Sequence, residues 1–457
     1  ENGTLAINNV GTGNSAQALG KHADVDLGVA GTSTGILEYT GSGGTLDKNI
    51  NALGDGNNKI YNSGSGLLTL SGDLTKTGTV LALDGGSSGI NVTGVIKGNS
   101  GSFNSDLVVS GGTVTLSAQN TYVGPTYVYG GGTLRNGNAS GALPTDTELT
   151  LGNANDNSAG TFDLYGNNQT VARIFTAGSA GSSNKITNSV TSTATLTVTN
   201  GGNFAGKIEN GGSGKVTALA VTGANLVLLN TTSDYTGGTT IASGAEVTAS
   251  GTHALGNGDV TVNSGGTLVM LRSTVGTDGT GVRYTLNGGS TLNLKFNGVS
   301  GSGVYSNWWG QDVYNQSANA GITYSTLDLG STGFLDLTGA STNNRINLVL
   351  DSGSATSGMI RGRLYKFTLA TMGALQWNGQ DITSLFNLNL NNFRYDDGSA
   401  FDPNTFYQLS YVGGDSLVLT IPEPSTYGLM LGGLALAAAA VRRQRQKKKA
   451  TEAEAKA

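Results

Sequence analysis

Glu423 stands between Pro422 and Pro424, and behind this tripeptide come Ser425, Thr426 and Tyr427, an uncharged apolar run to Val441, and a cationic cluster beginning Arg442, Arg443 and Arg445. Neither proline has an amide to donate, and each drives the residue before it toward extended geometry. The tripeptide is therefore an exposed, extended segment whose single carboxylate is held away from secondary structure. The run behind it is rich in Leu and Ala and predicts a single C-terminal hydrophobic helix, the backbone solution that satisfies itself in lipid. Its fifteen residues, Tyr427 to Val441, at about 1.5 Å each span roughly 22 Å, short of a hydrocarbon core of roughly 30 Å. Tyr427 suits one interface, while Arg442 and Arg443 snorkel at the other and set the depth of the helix. Gly428 and Gly432, four apart, open a close-packing face on it. Cations just past a helix keep that end cytoplasmic and place the large N-terminal part outside.

Catalytic chemistry is harder to find. The two histidines, His22 and His253, lie in Gly-rich surroundings without a Gly-x-Ser-x-Gly elbow and read as surface loop residues, so no catalytic residue is assigned. There is no Cys, no His pair at helical spacing and no faithful calcium nonapeptide, and neither metal nor cofactor is expected. Asp396-Asp397-Gly398 with Asp402 reads as a solvated turn, with weak calcium binding as the lesser alternative. Trp308-Trp309 is read as part of an aromatic cap, with a sugar-stacking platform as the alternative, since aromatic faces suit pyranose rings.

What must position these groups is set by composition. Of 457 residues 74 are Gly and only 12% are charged, a profile of repetitive β structure rather than of a conventional globular enzyme. Hydrophobic residues make up 37%, enough apolar surface to fold. Removing the seven basic and two acidic residues of 442–457 from the totals of 25 and 30 leaves 18 against 28, so the body carries −10 and the tail is basic. An acidic body disfavours nucleic acid and suits a protein kept soluble outside the cell. Without Cys the chain can cross any redox compartment without mispairing. It opens at Glu1 with no long apolar run in its first thirty residues, and the N-terminus reads as processed or truncated.

Along the body, short apolar alternations such as Gly35-Ile36-Leu37-Glu38-Tyr39 and Leu67-Leu68-Thr69-Leu70 are cut by Gly, Asn, Ser and Asp. No helical period precedes Tyr427. The pattern repeats: Thr121-Tyr122-Val123-Gly124-Pro125-Thr126 answers Asp234-Tyr235-Thr236-Gly237-Gly238-Thr239, with Leu134 and Val247 both twelve past the Tyr. Val95 and Ile208 both lie 27 before it, and Ala142-Leu143 answers Ala254-Leu255. A repeating short-strand unit predicts a solenoid in which inward Leu, Val and Ile stack and Gly or Asn turns the corners. About twenty residues per coil and about 4.8 Å between strands predict a rod near 100 Å long. Tyr122 and Tyr235 read as packing or corner residues, Leu134 and Val247 as equivalent inward positions, and Gly124 and Gly237 as equivalent corners. After Leu271 the register blurs among Tyr305, Asn307, Trp308, Trp309 and Tyr314, which predicts an aromatic-rich, partly antiparallel cap closing with a hairpin at Gly413-Gly414-Asp415.

Gly112-Thr113-Val114-Thr115-Leu116, Asn120 through Thr126 and Gly131-Gly132-Thr133-Leu134 resemble the autotransporter-associated β-strand repeat. The resemblance covers residues 1 to about 270 and implies a right-handed parallel β-helix, an all-β stalk with no chemistry of its own. Pro422-Glu423-Pro424, the apolar run and the basic cluster resemble the PEP-CTERM sorting signal, although Thr451 to Ala457 extend past the usual end. That resemblance implies recognition by an exosortase, a membrane-embedded cysteine transpeptidase-like enzyme, and export to the Gram-negative cell surface or extracellular matrix, with transient anchoring of the helix in the inner membrane. The expected organisation is solenoid repeats over 1–270, continuation and cap over 271–420, sorting signal with transmembrane helix over 421–449 and a cytoplasmic tail over 450–457. A non-enzymatic surface protein is the leading reading, with exopolysaccharide as a candidate partner. A surface-tethered polysaccharide lyase or hydrolase is the alternative, to be separated by carboxylates clustered on one solenoid face.

Overall fold

In the computed structural model the described residues run from 2 to 421, apart from 14–16, 30, 32, 55, 78–79, 99–105, 272–273, 278, 299–303, 307–311, 316–321, 354–363, 396 and 402–406. They form an all-β parallel solenoid. One face is a 16-stranded sheet, all but one of whose strands follow each other in a single ladder from Gly3–Ile7 to Phe386–Asn389. The ladder is parallel at every step, as Leu37↔Ile60, Ile60↔Leu83, Val109↔Val128 and Leu268↔Leu292 illustrate. Alternation sets the faces, because successive side chains in a strand point to opposite sides. In Asn57–Asn62, for example, Asn58, Ile60 and Asn62 are buried while Lys59 and Tyr61 are half-buried on the outside.

Two further faces complete each coil. The second holds a 4-stranded sheet (Asp24–Leu27 to Ile96–Gly98) and then an 8-stranded one (Gln169–Val171 to Ala374–Gln376). The third holds an 8-stranded sheet (Ser42–Leu46 to Lys207–Ile208) and then a 7-stranded one that begins at Thr274–Gly276. Leu, Val and Ile from the three faces meet in one continuous apolar core. Asparagines close corners inside it: Asn62 donates from Nδ2 to the carbonyls of Gly66 and Gly89, at 3.0 and 2.7 Å, and Asn188 donates to Val216 at 3.0 Å. The bonds to Gly89 and Val216 tie one coil to the next, the bond to Gly66 closes the corner itself, and each satisfies a carbonyl that a buried bend would otherwise strand. About fourteen ladder steps of about 4.8 Å make a rod of roughly 67 Å. The expected 100 Å is not reached, because a coil takes more than twenty residues, 23 from Leu37 to Ile60 and from Ile60 to Leu83 and 26 from Leu83 to Val109, and the single step from Leu292 to Leu348 takes 56.

The solenoid continues well past residue 270, through Thr291–Gly298 and Ile346–Asp351 to Phe386–Asn389. Its end is aromatic and partly antiparallel. Phe296 stacks on Tyr324 at 5.0 Å and meets Phe367 and Phe393 edge-on at 5.3 and 5.0 Å. Tyr395 stacks on Phe401 at 3.8 Å. The hairpin Gln408–Val412 with Ser416–Ile421 turns at Gly413 and Gly414, whose φ of 68° and 82° are the left-handed values such a turn needs. Among the described residues no helix is long and apolar enough to cross a membrane. The hydrophobic helix expected over 427–441 lies outside them.

Candidate functional site

The repeated tyrosines have a specific task. Between Ile96–Gly98 and Gln169–Val171 the second face has no strand, and the gap is bridged by Asn120 to Val123. Asn120 accepts the Ile96 amide on Oδ1 at 2.7 Å, Thr121 donates to the Ile96 carbonyl at 3.0 Å, and the Tyr122 hydroxyl meets Thr126 Oγ1 at 2.6 Å. On the third face the strandless stretch after Lys207–Ile208 is bridged in the same way: Ser233 Oγ accepts from Ile208 N at 3.2 Å, Asp234 N donates to Ile208 O at 3.1 Å, and the Tyr235 hydroxyl meets Thr239 Oγ1 at 2.6 Å. Tyr122 and Tyr235 are buried, and burial raises both phenols well above their ordinary pKa, so each stays protonated. They are packing residues at a seam, where side chains stand in for a missing rung.

Two details of the sequence alignment change. Ile96, not Val95, is the partner that corresponds to Ile208. Leu134 and Val247 both point inward with no exposure, yet Leu134 pairs with Val114 and Phe162 on the third face, while Val247 pairs with Leu226 and Leu268 on the 16-stranded face. Gly124 has a φ of 110°, whereas in the second copy the positive φ, 85°, belongs to Gly238 rather than Gly237. The unit is the same locally and is used on different faces.

Charged groups on the outside are paired: across coils Lys59 with Asp84 at 2.8 Å, Arg173 with Glu148 at 3.0 Å and Lys207 with Asp234 at 2.7 Å, and along the chain Lys207 with Glu209 at 3.2 Å. Such partly exposed pairs contribute about 0–1 kcal/mol each. His22 is exposed and His253 half-buried, with Nδ1 of His253 at 2.9 Å from the Thr231 carbonyl. Among the described residues no three His, Asp or Glu converge as metal ligands. Asp397 accepts the Ser399 amide at 2.9 Å across a turn at Gly398, φ 79°, while Asp396 and Asp402 lie outside the described residues. Trp308, Trp309, Pro422, Glu423, Pro424, Gly428, Gly432, Arg442, Arg443 and Arg445 also lie outside them.

One buried charge was not legible in the sequence. Lys76 ends the strand Leu74–Lys76, is 0% exposed, and stands in the inward column between Ala52 and Gly98. Those two small residues leave room for its aliphatic chain. Its Nζ lies 4.8 Å from the centre of the Tyr122 ring, a cation–π contact. Burial brings its pKa down to about 7, opposed by the nearby Asp106 carboxylate, whose own pKa burial raises.

The structure does fix how the chain enters its tail. The last strand, Ser416–Ile421, pairs antiparallel with Leu364–Thr371, and Ile421 stands opposite Tyr365. Leu417, Leu419 and Ile421 are buried. The hairpin is pinned from the side by Thr383, whose Oγ1 donates to the Leu409 carbonyl at 3.2 Å and accepts the Leu409 amide at 3.0 Å. The folded body is thus held in register up to the residue before Pro422.

Comparison with known proteins bears on both parts. Residues 420–445 match the PEP-CTERM protein-sorting motif. The chain is 31% identical over 326 residues to the adhesin BmaC autotransporter of Brucella suis biovar 1, an alignment covering 64% of this chain and 9% of the adhesin. It is 37% identical over 164 residues to the uncharacterized lipoprotein YdeK of Escherichia coli, covering 36% of this chain and 11% of that protein. The chain therefore joins a parallel β-solenoid similar in sequence to part of an autotransporter adhesin to a C-terminal PEP-CTERM sorting motif.

Proposed function

We propose that this protein is exported and displayed as a non-enzymatic surface or extracellular-matrix protein, a right-handed β-solenoid stalk sorted through its C-terminal signal. The observation that carries the reading is the match over 420–445, which begins where the buried strand Ser416–Ile421 ends. A sorting signal must be reachable while its cargo stays folded, and the match shares only Thr420 and Ile421 with that strand. In this reading an exosortase-type enzyme reads Glu423, with Pro422 and Pro424 keeping it extended. The apolar segment after Tyr427 holds the chain in the inner membrane during processing, with Gly428 and Gly432 packed on the enzyme and Arg442, Arg443 and Arg445 on the cytoplasmic side. The coils over 1–270 and their capped continuation over 271–420 form the displayed body. Similarity to an adhesin supports a role in attachment, and exopolysaccharide is the matrix partner that suits Trp308 and Trp309.

The test is fractionation in a host that carries the sorting enzyme. Glu423→Ala is expected to leave uncleaved protein in the membrane fraction while the β-body keeps its circular dichroism. Equal release of wild type and variant removes the sorting role from Glu423.

A further inference from the structure

The outer surface of the third face carries a groove of about 490 Å³ that crosses four successive strands and reaches the turn after a fifth, from Leu67 at one end to Arg135 and Tyr165 at the other. Four inter-strand steps of about 4.8 Å give it a length of roughly 19 Å. Its floor is made of outward Asn91, Thr113 and Thr115, hydroxyls and amides with no apolar centre.

The far end of the groove is built under strain. Tyr165 is 40% exposed and has a φ of 50°, and Gly166 follows with a φ of 82° in a turn closed by Asn167 N on Leu164 O at 2.9 Å. A turn with two left-handed central residues ordinarily takes Asn, Asp or Gly at the first of them, and an aromatic residue there costs conformational energy. What the ring does in that place is hold Arg135, whose guanidinium lies 5.1 Å from its centre. Arg135 is fixed from a second side by Asp163, which is 2% exposed and accepts from Arg135 Nε at 3.2 Å. Asp163 is itself set by the amides of Tyr165 and Ser189, each at 2.9 Å. The two Nη groups of Arg135 have no other partner among the described residues.

Charge sharpens the assignment. Arg135 is the one charged side chain among the described residues lining the groove, on a body that carries −10. A single oriented fork suits one carboxylate at a time. We propose that this groove binds an acidic oligosaccharide, one uronate carboxylate on the Nη groups of Arg135 and the sugar rings laid along Asn91, Thr113 and Thr115 toward Leu67. The inference adds a ligand to the export reading without depending on it: release from the membrane tests one, and glycan binding tests the other.

Calorimetric titration of the full chain with tetragalacturonate, and with cellotetraose as a neutral chain of equal length, decides the matter. Wild type is expected to bind tetragalacturonate at least about tenfold more tightly than cellotetraose, a difference of about 1.4 kcal/mol. Arg135→Gln is expected to abolish that preference. Because removing Arg135 also strips Asp163 of its partner, Tyr165→Gly is the second variant: it is expected to weaken tetragalacturonate binding at least about tenfold without lowering the unfolding midpoint, since Gly adopts the left-handed turn freely. Absence of binding by wild type at millimolar ligand, equal binding of the two glycans, or unchanged binding by Tyr165→Gly would overturn the proposal.

Discussion

Lys76→Met replaces a buried ammonium with an apolar chain of similar length, and the expected result is a more stable rod. An amine whose pKa is about 7 in the folded protein, against an unperturbed 10.5, is disfavoured in its charged form by burial. Between these two values the unfolded chain holds the proton and the folded chain releases it, so wild-type stability rises with pH across that window. Below about pH 7 both states are protonated and the folded state bears the whole penalty. A pKa of about 7 in place of 10.5 corresponds, at about 1.4 kcal/mol per pH unit, to about 4–5 kcal/mol, and to about 4 at pH 7 where the folded group is half-titrated. Against this, Met forfeits the contact with the Tyr122 ring, about 1–2 kcal/mol, while the attraction of Asp106 is already contained in the lowered pKa. The net expectation is a gain of roughly 2 kcal/mol at pH 7, within the range seen when buried charges give way to apolar isosteres. Because coils contact mainly their neighbours, the readout should be local: hydrogen exchange at Leu74–Lys76 and Ile96–Gly98, followed from pH 6 to 10 in both proteins. Lower protection in the variant at pH 7, or wild-type opening energies that do not change with pH, would refute the reasoning.

Leu134→Asp puts a carboxylate into the core between Val114 and Phe162, and a loss of several kcal/mol is expected, read as new protease cleavage near Thr133–Asn136. Tyr235→Phe removes the 2.6 Å bond to Thr239, which keeps its bond to the Leu255 carbonyl at 3.2 Å, so a loss of only about 1 kcal/mol is expected by chemical denaturation. Tyr165→Gly, beyond its effect on glycans, should raise stability by about 1 kcal/mol by relieving a positive φ, seen as a higher denaturation midpoint.

The solenoid was legible because its signal is periodic: Leu37, Ile60, Leu83 and Val109 recur at coil spacing, alternate with polar neighbours and need no long-range information to be read as inward. The Tyr122 and Tyr235 units were legible as repeats for the same reason. Their faces were not. Loop lengths between strands decide which face a given segment reaches, and the two units hang on strands of different faces, Ile96–Gly98 and Lys207–Ile208, so that Leu134 falls on one sheet and Val247 on another while both stay inward. Lys76 was hidden because Leu-Thr-Lys reads as apolar, polar, polar, and only the small neighbours Ala52 and Gly98 make room for a charged chain inside. Arg135 and Tyr165 lie thirty positions apart in the sequence, and no local pattern announces that neighbouring coils bring them together.

The seams at Tyr122 and Tyr235 also bear on mechanics. A rod clad in three unbroken hydrogen-bonded walls resists bending equally in every direction, whereas each seam thins a stretch of one wall to isolated backbone bonds, Thr121 to Ile96 or Asp234 to Ile208, beside side-chain links such as Asn120 to Ile96 and Ser233 to Ile208. The two weak stretches lie on different walls and at different heights, while the 16-stranded wall opposite both is continuous. Sideways load should therefore flex the rod at two joints with different axes rather than as one uniform beam, and the unbroken wall keeps either joint from parting. A rod built this way yields to load in more than one direction without losing its thread of backbone bonds from end to end.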